Sequence, residues 1–349
     1  MNSNYKFYPN PATGHLTEED TKKYFSILGF AVFAMGVAVT IMANALALVF
    51  SYITEQYAPE LLQSDVFVGV SNSLVSMIPI YCIGLPIFLT LTKTLPKISP
   101  LKQKMSVGKW FGGLCIASLA MMIGNYISNC VLIFIETLGN ITTKNPVAEA
   151  TSASNVWVTI ALTVIVTPIL EELVFRKLVC DRLLPLGEGY AVFVSAAIFG
   201  LMHQNFYQFG YAFVVGALFA FIYVKTGKLS YSILYHMIIN FFGGVIAPWI
   251  IELIDIDKLM ELLESANFSI DEEMMLSLLL LAAYEAIMMI SGIIGLVLFL
   301  RAKKNRELTL DSGILPPPKE HRIANIFCTV GVAAAVTYFV IVFVLSLFQ

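Results

Sequence analysis

Between residues 25 and 348 the chain alternates long, almost uncharged apolar stretches with short polar connectors, and this alternation restricts the fold more than any other feature. A helix needs about 20 mostly apolar residues to cross the hydrocarbon of a bilayer. Stretches of that kind lie near 25–53, 67–92, 110–138, 155–178, 189–206, 208–224, 230–252, 275–300 and 324–348. Nine crossings are expected, with only a few residues between the fifth and the sixth. Charged residues make up 13% of the chain, against about 25% in soluble domains, and mean hydropathy is +0.80. The expected fold is an all-α, polytopic integral membrane protein with about eight to nine transmembrane helices. Nothing in the pattern points to a nucleic acid as partner; the lipid bilayer is the first partner implied.

The connectors orient the chain. Residues 93–109 hold Lys93, Lys97, Lys102, Lys104 and Lys109 with no acid, and 176–189, 225–229 and 301–322 are also rich in Lys and Arg. Between them, 54–66 holds Glu55, Glu60 and Asp65 with no base, and 252–274 holds eight acids against Lys258 alone. Basic loops stay in the cytoplasm, so the N-terminus is expected there and the C-terminus outside. The membrane would be the plasma membrane in a bacterium and the endoplasmic reticulum in a eukaryote. The first 24 residues are polar and include Glu18, Glu19 and Asp20, so they do not read as a cleavable signal peptide. Five scattered cysteines without a CxxC suggest neither a disulfide framework nor a cysteine metal site. The expected organisation is a polar tail (1–24), three N-terminal spans (25–150), a four-span core (151–250), and an acidic loop with the last two spans (251–349).

Ionisable groups at membrane depth cost about 2.5–3.5 kcal/mol each on insertion scales, so each is a functional candidate. They are Glu171, Glu172 and Arg176 in span four, His203 at the end of span five, His236 in span seven and Glu285 in span eight, with the amides Asn125, Asn129 and Asn240. Adjacent residues on a helix point about 100° apart, so the two glutamates cannot face one pocket equally. Glu172 and Arg176 stand at i and i+4 with the acid first, the favourable order for an ion pair. Glu171 is then the acid without an obvious local partner. Pro168 removes a backbone donor just before the acids and can kink the helix. His236 and Asn240, also i and i+4, share a face. Asn125 and Asn129 share another, and read as glue between helices. Glu285 reads either as a proton carrier or as a neutral acid bonded across helices.

Glu171, His203, His236 and Asn240 on three spans can activate water and hold an oxyanion. Glu171, His203 and His236 also make the three-ligand shell of a catalytic zinc site. Spacing leaves both readings open. Taken singly, either histidine can be a packing residue bonded to a neighbouring carbonyl, and the glutamate pair with Arg176 can be a salt bridge at a helix end near the interface.

Glu171-Glu172-x-x-x-Arg176, Phe199-x-x-x-His203 and His236-x-x-x-Asn240 resemble, in order and spacing, the three motifs of the CAAX-protease and bacteriocin-processing family of intramembrane endopeptidases. The resemblance covers about 168–243. It implies an all-helical fold around an intramembrane catalytic cavity, and hydrolysis of a peptide bond in a membrane-associated, lipidated or hydrophobic protein or peptide. By position it implies that Glu171 activates water with help from His203, that His236 and Asn240 hold the oxyanion, and that Glu172 with Arg176 braces the first acid. A glutamate mechanism without cofactor is favoured over a zinc metalloprotease mechanism, and no metal is expected. The alternatives are a non-proteolytic scaffold or a bacteriocin self-immunity protein of the same fold and, behind it, a transporter with Glu285 in a proton path. No HExxH, GxSxG-type serine or GxGD aspartate supports another intramembrane protease class. For Glu171, His203 and His236 to meet, span five must be short, tilted or broken near "FGLMHQN".

Overall fold

The computed structural model describes residues 7–143, 155–254, 258–260 and 271–348. In chain order the helices are α1 (Glu18–Tyr57), α2 (Asp65–Leu91), α3 (Val107–Gly139), α4 (Val156–Leu183), α5 (Glu188–Leu201), α6 (Phe206–Thr226), α7 (Leu229–Glu252), α8 (Glu272–Lys304), α9 (Arg322–Phe327) and α10 (Val330–Phe348). Among the described residues, eight are long and apolar enough to cross a membrane, and no β-sheet is present. The protein is therefore an all-α, multi-pass integral membrane protein. The expected fifth crossing differs from the rest. Helix α5 has 14 residues, about 21 Å of axis, and needs the turn after it to reach the level where α6 begins.

Polar side chains placed just before the apolar runs start most of these helices. Thr17, Ser64, Ser106, Asn155, Asn205, Asp271 and Thr329 each accept a hydrogen bond from a backbone N–H of the first turn, satisfying donors a helix start leaves free. Lipid offers no hydrophobic drive for one helix to meet another, so close backbone approach takes over that role. A Cβ on Gly331 would lie 1.9 Å from the Ser26 carbonyl oxygen, and one on Gly295 would lie 2.2 Å from that of Cys115. These contacts join α10 to α1, running parallel, and α8 to α3.

The basic connectors meet at one end of the bundle. Ile98 N–H donates to Asp181 O (2.8 Å), Gln103 to Thr226 O (2.7 Å), Glu188 to Asp311 O (2.9 Å), Leu315 to Pro185 O (2.7 Å) and Leu16 to Pro316 O (2.9 Å). Lys109 pairs with Glu307 across the same end at 3.1 Å. The opposite end holds Asn155 against Asp65, the Thr143 and Tyr207 hydroxyls at 2.7 Å, and the Ser277 hydroxyl donating to Leu253 O. Of the acidic connector, 255–257 and 261–270 lie outside the described residues; within the described part, Lys258 pairs with Asp271.

Candidate active site

Helix α4 carries both glutamates and is irregular on either side of them. A regular segment, Thr167–Glu172, sits between two widened π-type segments, Thr159–Val166 and Leu173–Cys180, a feature found often at functional sites. Pro168 is accommodated by this widening rather than by a break. Thr167 N–H donates to the carbonyl of Leu162, five residues back. The same register would pair Thr163 O with the N–H of residue 168, which proline lacks. Asn240 fills the gap: its Nδ2 donates to Thr163 O at 2.9 Å. The amide on α7 therefore satisfies a carbonyl orphaned on α4, keeps its second N–H, and ties the two helices together one turn of α7 beyond His236.

Glu172 is sealed. Its side chain and that of Arg176 have no exposed surface. Arg176 Nε donates to Glu172 Oε2 at 3.0 Å and Nη2 to Oε1 at 3.2 Å, a bidentate pair. Nη1 donates to Ser195 Oγ at 3.2 Å, and that hydroxyl donates to Phe175 O at 2.9 Å. The guanidinium lies 5.1 Å from the Phe199 ring centroid and 5.9 Å from that of Phe219, within range of attraction to their faces.

Glu171 points elsewhere and retains 15% side-chain exposure. It does have a partner, from another helix: His236 Nε2 lies 3.5 Å from Glu171 Oε2, while Nδ1 of the same ring lies 3.3 Å from Glu172 Oε1. Sequence-local reasoning could not see this bridge. Glu172, held by Arg176, is an acceptor only, so Nδ1 of His236 carries a proton. A proton between Nε2 and Glu171 would complete the bridge. With that proton counted, the two acids, His236 and Arg176 sum to zero charge, the condition under which a buried ionic cluster is tolerable. Tyr81 and Tyr211 lie within electrostatic reach of Glu171.

His203 comes to the same aromatic ring as His236, that of Phe199, because α5 stops early. The helix ends at Leu201, and Gln204 adopts a left-handed conformation (φ 58°). Asn205 fixes the turn: its Nδ2 donates to His203 O at 2.7 Å and its Oδ1 accepts from Gln208 N–H at 2.9 Å. Gln204 Oε1 accepts from the Thr40 hydroxyl of α1 at 3.0 Å. The rings of His203 and His236 pack edge-on against one aromatic, Phe199, at 5.1 and 5.8 Å between centroids. The His203 ring makes no hydrogen bond among the described residues. Ser195, Phe199 and His203 are spaced i, i+4 and i+8, so the supporting hydroxyl of Ser195 was visible as part of a stripe that the motif reading did not use.

Three of the expected polar groups stand apart. Glu285 and Asn129 are exposed on the perimeter, Asn125 is half-buried, and none makes a side-chain hydrogen bond or ion pair among the described residues. Among the described residues Asn125 and Asn129 thus glue no helices together, and Glu285 is bonded to none. The zinc reading can be tested on the donors. Both oxygens of Glu172 are taken, and among the described residues no three His, Cys, Asp or Glu side chains converge closely enough to hold a metal ion. The donor set as arranged does not fit a three-ligand shell. A surface depression lined by Lys319, His321, Ile323 and Ala324 near α9 contains none of these groups.

Residues 153–242 match the family model described as type II CAAX prenyl endopeptidase Rce1-like. A membrane-embedded CAAX protease, MroQ, of Staphylococcus aureus is 35% identical over 111 residues, covering 30% of this chain and 43% of that protein. CAAX prenyl protease 2 of Arabidopsis thaliana is 31% identical over 120 residues (28% and 38%), and that of Homo sapiens 32% over 100 residues (23% and 30%). The chain spans less than half the length of these curated relatives. No solved structure matches it.

Proposed function

We propose, from the premise that residues 153–242 belong to the Rce1-like CAAX-protease family, that this chain is an intramembrane endopeptidase working through a glutamate-activated water. The observation that carries the proposal is the unequal treatment of two adjacent acids: Glu172 is sealed and paired, while Glu171 is open and faces His236. In the proposed reaction Glu171 takes a proton from water, and the hydroxide forms a bond to the scissile carbonyl carbon. The Nε2–H of His236 and the free N–H of Asn240 donate to the oxyanion as it develops. Collapse breaks the C–N bond, and Glu171 returns its proton to the leaving amine. His203, with its ring free, orients the water. Arg176, Glu172 and Ser195 are positioning residues that hold His236 in one tautomer and one orientation. No step passes through a metal.

The substrate class is a membrane-associated protein or peptide, lipidated or hydrophobic near the cleaved bond, which reaches Glu171 from within the bilayer. With the basic end of the bundle in the cytoplasm, the N-terminus is cytoplasmic and the C-terminus lies outside. The test works for any substrate in the cell. Peptide termini of membrane and secreted proteins are compared between cells carrying the wild-type chain and cells carrying Glu171→Gln at matched abundance. Termini that disappear with Glu171→Gln support the protease and name its substrates. Identical termini, with a phenotype that Glu171→Gln still rescues, would overturn it in favour of a non-proteolytic scaffold or immunity role. Activity that is lost on chelation and restored by zinc would instead make Glu171, His203 and His236 metal ligands.

A further inference from the structure

The turn between α5 and α6 fixes a second polar group besides His203. Asn205 Nδ2 donates both of its protons, one to His203 O at 2.7 Å and one to Gln208 Oε1 at 2.8 Å, while its Oδ1 accepts from Gln208 N–H at 2.9 Å. The orientation of both amides follows. Gln208 Oε1 is taken as an acceptor, so Nε2 is the group that meets the Tyr211 hydroxyl, at 3.0 Å. A phenol oxygen that accepts from an amide keeps its own proton for another partner. Among the described residues the Tyr211 O–H finds no acceptor.

The face of α6 that carries Tyr211 borders the site. Tyr211, Val215 and Phe219 are spaced i, i+4 and i+8, one stripe along the helix. Val215 and Phe219 pack with Ile239 of α7 in one buried cluster, and the Phe219 ring lies 5.4 Å from that of His236. Helix α3 holds this part of α6 in place: a Cβ on Gly124 would lie 2.3 Å from Tyr211 Cα, so the two backbones touch. Tyr211 is within electrostatic reach of Glu171 and makes no hydrogen bond to it, so both groups stay open to a third. Tyr81 of α2 is also within reach of Glu171, but among the described residues no hydrogen bond fixes its hydroxyl.

We propose that Tyr211 is a further substrate-contacting residue of this site: its O–H donates to a backbone carbonyl of the bound peptide beside the scissile bond, and Asn205 and Gln208 are positioning residues that aim it. The inference rests on the reading of Glu171 as the base of a protease. One pair of amides thus sets His203 through its carbonyl and Tyr211 through its oxygen, and presents both to the same peptide. Every peptide carries such a carbonyl, so the contact holds the chain in register without selecting its side chains.

The test follows, by pulse-chase at matched abundance, the peptide termini that wild type makes and Glu171→Gln does not. Tyr211→Phe keeps the ring and removes the proton. It should slow formation of these termini about ten- to a hundred-fold, with thermal unfolding in detergent unchanged. Gln208→Glu keeps the acceptor for Asn205, but its carboxylate takes the Tyr211 proton and turns it from the site. The rate should then fall to near that of Tyr211→Phe, although the hydrogen bond between the two side chains survives. Added to Tyr211→Phe, Gln208→Glu should cause no further loss. Glu171-dependent termini that form at the wild-type rate in Tyr211→Phe, or a Gln208→Glu loss that persists undiminished in the double variant, would overturn this inference and leave the protease standing. Cells in which no terminus depends on Glu171 would overturn the protease reading, and this inference with it.

Discussion

The two faces of α4 receive opposite treatment. The face with Glu172 and Arg176 is closed by Ser195, Phe199 and Phe219, and both Glu172 oxygens and all three guanidinium nitrogens have partners. The face with Glu171 keeps some exposure, and its one ion-pair partner among the described residues is a histidine at 3.5 Å. One residue of helical rotation thus separates an acid locked as an anion from an acid left free to exchange a proton. Low dielectric punishes an unpaired charge and strengthens a paired one. The sealed face therefore contributes rigidity, and the open face contributes chemistry. His236 touches both and couples them.

Substitutions can break this contrast in graded steps. Glu171→Gln should lower turnover on the order of 10²–10⁴-fold, the usual contribution of a general base, with abundance unchanged; quantifying the lost peptide termini at matched expression checks it. Arg176→Met leaves the buried Glu172 with His236 alone in place of its bidentate partner, and should destabilise the fold by about 3–5 kcal/mol, read by thermal unfolding in detergent. Asn240→Leu orphans the Thr163 carbonyl, which should cost about 1–3 kcal/mol and lower activity as well. Asn205→Ala removes the cap of α6 and the anchor on the His203 carbonyl, a loss of about 0.5–2 kcal/mol. In that variant activity should fall further than stability alone explains, because His203 loses its fixed position.

Much of the fold was legible because each apolar stretch must satisfy its backbone internally, which makes length and hydropathy sufficient to find the helices. The connectors were legible through charge alone, and the structure brings the basic ones together at one end. Span five was harder, since hydropathy does not record where a helix stops. The constraint that His203 must meet Glu171 located the break, and Asn205 supplies its physical cause. Within the site, the i, i+4 pair of Glu172 and Arg176 could be read from spacing. The His236 bridge to both acids could not, because it joins helices 64 residues apart in sequence. Nor could the link from Asn240 to Thr163 be read, since it depends on a π-type register that leaves Pro168 opposite a carbonyl. Asn125 and Asn129 were read as glue between helices and Glu285 as a proton carrier or a cross-helix acid; among the described residues none makes a side-chain hydrogen bond, Asn125 being half-buried and the other two exposed.

The most direct test of the division between the two acids is to measure unfolding of Glu171→Gln and Glu172→Gln side by side in the same detergent. Glu171→Gln should unfold within about 1 kcal/mol of wild type or later, since it removes a charge that is only loosely paired. Glu172→Gln should lose about 3–5 kcal/mol, because Arg176 is left as a buried, unpaired cation. Equal losses in the two variants, or a larger loss from Glu171→Gln, would contradict the assignment of one acid to chemistry and the other to the brace.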